Sequence, residues 1–156
     1  MGVSLCYATT QPVTNEVREF LERAANEVKR GRDWWAEPIH FFDDWDRPDC
    51  VVGNSKLFRP GFDCDDDSFL AWRDAQFIIA ALAKWASNFG LTWRLSFDAY
   101  QAENPEIGTI DARCADDRVS AFLSNLAALT CHPTSDQRTV ETIAEGLLQK
   151  YSERDA

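Results

Sequence analysis

Residues 69–98 read FLAWRDAQFIIAALAKWASNFGLTWRLSFD, and the change of period inside this stretch decides the fold class. From Phe69 to Phe89 apolar residues recur at helical spacing, and Phe77 to Ala83 is apolar nearly all round, as expected of a helix covered on several sides. Ser68 stands where a cap belongs, and Gly90 where a helix stops. The period then falls to two. Trp93, Leu95 and Phe97 alternate with Thr92, Arg94 and Ser96, which predicts a half-buried strand over Thr92–Asp98. A helix that feeds straight into an amphipathic strand predicts a mixed α/β (α+β) domain with this helix at the centre of its core.

Upstream, Val13, Val17, Phe20, Leu21, Ala24, Ala25 and Val28 predict a helix over about 13–30, with Glu16 and Glu19 near its positive end and Gly31 as its stop. Val3, Leu5 and Tyr7 alternate with small or polar residues as a first strand; 39–43 and 51–58 are the next two. Downstream, 106–113 reads as a strand with Gly108 as a bulge. Val119, Phe122, Leu123, Leu126 and Ala127 predict a helix over 117–129. Thr134 and Gln137, at capping-box spacing, open a fourth over 135–151.

The order β-α-β-β-α-β-β-α-α predicts a two-layer sandwich with about five mainly antiparallel strands and four helices. Its first six elements match a ferredoxin-like βαββαβ core, extended by a β-strand and two C-terminal helices. In that layout the second strand is an edge, where Pro38 is tolerated. Gly53, Asn54, Ser55 and Lys56 are poor residues for a central third strand. With 156 residues, 45% hydrophobic, residues 1–156 are expected to form a single globular domain.

Charge narrows the partners. The net charge is −10, which argues against nucleic acid and against anionic membrane surfaces, both of which select basic faces. No apolar run reaches the ~18 residues of a membrane span, and MGVSLCYATT lacks the basic and apolar regions of an export signal. The cytoplasm is the expected compartment. Cys6, Cys50, Cys64, Cys114 and Cys131 have no C-x-x-C spacing and read as small buried hydrophobes of a reducing compartment.

The unusual chemistry is concentrated between residues 32 and 67. RDWWAEPIHFFDDWDRPD packs Trp34, Trp35, Phe41, Phe42 and Trp45 among acids and one histidine. From Asp43 to Asp67 eight acids face three bases, half of the net charge of the whole chain. A solvated loop followed by a helix start accounts for Asp65, Asp66 and Asp67, since anions are favourable there without any function. A surface for a basic protein partner is the functional alternative. Trp45 would be its anchor and Asp43, Asp44, Asp46, Asp49, Asp65, Asp66 and Asp67 its steering charge. A hard-cation site would need more convergent oxygens and an EF-hand spacing that DCDDDSFLAW lacks.

His40 with Asp43 or Asp44 has the chemistry of an acid–base or metal pair. A lone histidine beside aromatics is more often simply packed or hydrogen-bonded. Trp34 and Trp35, as chain neighbours, point apart and are not expected to share one pocket. Cys131 and His132 read as loop punctuation rather than a nucleophile pair. No phosphate loop, dinucleotide turn, zincin motif or nucleophile elbow is present. The expectation is a non-enzymatic protein-interaction or inhibitory, immunity-like module with no cofactor. The rivals are a small enzyme or ligand-binding protein using His40 and its neighbouring carboxylates, with or without a divalent metal, and a homo-oligomer assembled through exposed aromatics.

Overall fold

The computed structural model describes residues 4–57, 64–98, 106–112 and 117–130. Within them the chain runs β1 (Ser4–Thr9), α1 (Asn15–Gly31), β2 (His40–Phe42), β3 (Val52–Lys56), α2 (Cys64–Phe89), β4 (Trp93–Asp98), β5 (Glu106–Ile110) and α3 (Asp117–Thr130). The five strands form one sheet in the order β2-β3-β1-β4-β5, and every neighbouring pair is antiparallel. The fold is therefore mixed α+β, with three helices among the described residues. The fourth predicted helix, 135–151, lies outside them, as do Cys131 and His132.

Register explains why one face of the sheet is the core. Gly53 on β3 faces Phe41 on β2 and Tyr7 on β1; Tyr7 faces Leu95 on β4, which faces Gly108 on β5. Stepping by two along each strand adds Leu5, Thr9, Ser55, Trp93, Phe97 and Ile110, all buried. The alternate positions His40, Phe42, Lys56 and Arg94 are exposed. Leu21 and Ala25 of α1, Ala71, Ala75, Ile78, Leu82 and Trp85 of α2, and Val119 and Phe122 of α3 join the inward face in one cluster. Each large apolar side chain buried this way is worth about 1.5–3 kcal/mol. Phe41 stacks on Trp93, centroids 6.0 Å apart, and meets Tyr7 edge-on at 5.9 Å.

Several boundaries move from their sequence positions. Thr14 caps α1, its Oγ1 accepting from the Val17 N–H at 3.3 Å. Gly31 does not end α1 in a left-handed turn; it stays helical, and Arg32 leaves in an extended conformation. Ser68 is not the cap of α2, which begins at Cys64 and takes Asp65, Asp66 and Asp67 into its first turn. Gly90 does end α2, with φ +64°, and the Leu91 N–H donates to the Ala86 carbonyl at 3.1 Å, the six-to-one bond of a glycine-terminated helix. The β4–β5 register shifts beside Gly108, where Leu95 faces Gly108 but Ser96 faces Glu106.

Candidate functional site

The loop of residues 43–50 is fastened at several points. Asp44 Oδ1 accepts from the Asp46 N–H at 3.0 Å, and the Asp44 carbonyl accepts from the Arg47 N–H at 3.2 Å. The Arg47 carbonyl accepts from the Cys50 N–H at 3.1 Å, and Arg47 Nε lies 3.5 Å from Asp44 Oδ2. Two ties reach in from the start of α1. Arg18 Nη2 donates to the Pro48 and Cys50 carbonyls, both at 2.9 Å, and the Val13 N–H donates to the Asp49 carbonyl at 2.9 Å. The loop thus holds one shape without a regular element of its own.

What it presents is Trp45, 97% exposed, while Asp43, Asp46 and Asp49 around it are exposed and Asp44 is partly buried in its turn. An indole so open gives up the stabilisation that burying a tryptophan would supply. Asp65, Asp66 and Asp67 sit in the first turn of α2, and only their backbone is described.

His40 is placed differently from these acids. It lies on the outward side of β2, opposite Phe41, with its ring 6.2 Å from that of Phe42. Its backbone, not its imidazole, makes the buried contact: the His40 N–H donates to Tyr7 Oη at 2.9 Å. Burial pushes the Tyr7 phenol well above its usual pKa, so it stays a neutral hydroxyl, shared with Ser55 Oγ at 3.0 Å. His40 also lines a cleft of about 230 Å³ between α1 and the entry to β2, with Glu22, Ala25, Asn26, Lys29, Pro38, Ile39 and Phe41. Asp43 and Asp44, its proposed catalytic companions, do not line that cleft. Among the described residues no three His, Cys, Asp or Glu side chains cluster as metal ligands.

Trp34 and Trp35 both pack partly buried against the core, Trp34 edge-on to Phe77 at 5.5 Å. A residue given no role by the sequence analysis positions this region. Asp74 of α2 is fully buried; its Oδ1 lies 2.9 Å from Arg32 Nη2, and its Oδ2 accepts from the Trp35 N–H at 3.0 Å. The Arg32 guanidinium lies over the Trp34 ring at 4.6 Å and the Phe77 ring at 4.3 Å. Burial raises the pKa of Asp74, against the opposing pull of the Trp35 amide and of Arg32, and burial likewise lowers that of Arg32. The sequence signal was present: Asp74 falls in line with Ala71 and Ile78 at i−3 and i+4, on the buried stripe of α2. Arg18, the anchor of the acidic loop, sits beside Val17 and Leu21 at the border of the α1 stripe, which gives no hint of its distant carbonyl partners.

No helix among the described residues is long and apolar enough to cross a membrane. Compared with known protein families, with curated proteins and with solved structures, the chain shows no match.

Proposed function

We propose that this domain is a non-enzymatic protein-interaction or inhibitory module that engages a basic partner through the loop of residues 43–50. One observation carries the reading: Trp45 stands 97% exposed on a loop tied down by Arg18, Val13 and the Asp44 turn. A large aromatic held in water by those ties, with the exposed Asp43, Asp46 and Asp49 close to it in the chain, supplies an anchor at little ordering cost and steering charge beside it. The reading takes the sheet as a two-layer ferredoxin-like core with an added strand. The antiparallel order β2-β3-β1-β4, with β5 outside it, supports this. It places the domain in the reducing cytoplasm, a reading that the buried free thiol of Cys50 supports.

The test is capture of a partner from the cell of origin at low and high salt, followed by kinetics on variants. Retention is expected to fall steeply as salt rises. The D43N/D44N/D46N triple variant should associate more slowly, and Trp45→Ala should dissociate at least ten times faster. A partner bound equally well by both variants would remove the loop from the mechanism.

A further inference from the structure

We infer that the edge strand β2 is a docking strand, to which an extended basic segment of a partner protein adds while sending a side chain into the cleft beside α1. The inference borrows from the preceding reading only the sign of the partner's charge.

β2 is the last strand of the sheet, and among the described residues nothing pairs with its outer edge. An edge strand presents a row of peptide N–H and C=O groups that another extended chain can satisfy. Three-residue strands are usually loose, yet this one is fastened from its inner side. Tyr7 Oη accepts from the His40 N–H at 2.9 Å, Ser55 Oγ donates to the Pro38 carbonyl at 2.8 Å, and Glu37 Oε2 accepts from the Lys56 N–H at 3.1 Å. The free edge is therefore already shaped, and an added strand pays little to order it.

The cleft along that edge supplies the specificity that backbone bonds lack. At about 230 Å³ it is smaller than the roughly 300–1,000 Å³ of small-molecule sites, and it suits side chains of a bound segment. Its outer wall is the Glu22, Asn26 and Lys29 ridge of α1.

Charge selects the occupant. The chain passes from Phe42 directly into Asp43–Asp49, where four acids face one arginine. A strand advances about 3.3 Å per residue, so a segment paired with β2 lies against those acids two or three residues further on. Glu22 adds to this field, while Lys29 at the other end of the ridge fits a neutral or acidic residue. A second copy of this chain would bring another net −10 to the same place and is disfavoured by repulsion.

The probe is a synthetic peptide of alternating valine and lysine, compared with the same peptide N-methylated at alternate residues. The latter keeps charge and side chains but loses backbone donors. Binding to the full chain is measured by titration calorimetry, with amide NMR as the map. The parent peptide is expected to bind, to slow amide exchange within β2, and to lose at least ten-fold in affinity on N-methylation. Asn26→Trp, which fills the cleft from an exposed position, should cost a similar factor, while the ratio between the two peptides survives in Trp45→Ala. Equal affinity of the two peptides, with changes confined to Asp43–Asp49, would overturn strand addition and leave the acidic-loop reading standing. Absence of binding by the parent peptide, or dimerisation of the chain abolished by Asn26→Trp, would overturn it as well.

Discussion

Removing the Asp74 carboxyl leaves the Arg32 guanidinium and the Trp35 amide without their acceptor. Breaking a buried pair on one side typically costs about 3–5 kcal/mol, and Asp74→Ala is expected to fall in that range by urea titration. Stability should also carry a pH signature. Because burial raises its pKa, folded Asp74 holds its proton more tightly than the unfolded chain does. Its contribution is therefore largest below about pH 4, the ordinary carboxyl range, and declines as pH rises through the raised value. Asp74→Asn lacks that proton, so the stability gap between wild type and Asp74→Asn should narrow as pH increases over that window. A gap that widens with pH would mean that Arg32 outweighs desolvation. Asp74 was legible in principle, as a carboxylate on an apolar helical stripe, but its partners sit about forty residues upstream, where periodicity carries no information.

At the scale of elements, helix and strand types were readable because period is local: Trp93, Leu95 and Phe97 alternate whatever the rest of the chain does. What failed was what tertiary contacts decide. α2 starts five residues before Phe69, because the acids expected ahead of it are equally favourable inside its first turn. β3 looked too polar and glycine-rich for an interior strand, yet it lies between β2 and β1. Gly53 is the reason that arrangement works. A Cβ there would overlap the His40 carbonyl and come within 2.5 Å of Tyr7 Cε2, so only glycine lets the Tyr7 hydroxyl reach across β3 to β2. Gly53→Ala is expected to cost about 2–3 kcal/mol through overpacking and to release β2 first. Amide exchange at His40–Phe42 should rise more than in β1 or β4; uniform loss across the sheet would contradict this local account.

At the scale of the whole molecule, composition announced an acidic protein, and the structure shows where part of that acidity is presented. Sequence singled out Trp45 through the acids around it, but not how its loop is held, since the Arg18 guanidinium that donates to the Pro48 and Cys50 carbonyls lies some thirty residues away. Of the six tryptophans, Trp85 and Trp93 are buried and Trp34, Trp35 and Trp72 are half-buried. Trp45 is thus the one indole fully open to solvent, and the molecule carries its own fluorescent electrometer. A negative field within a Debye length of about 8–10 Å enriches cations and depletes anions at that ring. Replacing Asp43, Asp44 and Asp46 by asparagine is therefore expected to raise collisional quenching by iodide and lower quenching by caesium, with neutral acrylamide unchanged. The ratio of the two ionic quenching constants then reads the local potential in the free protein, before any partner is in hand.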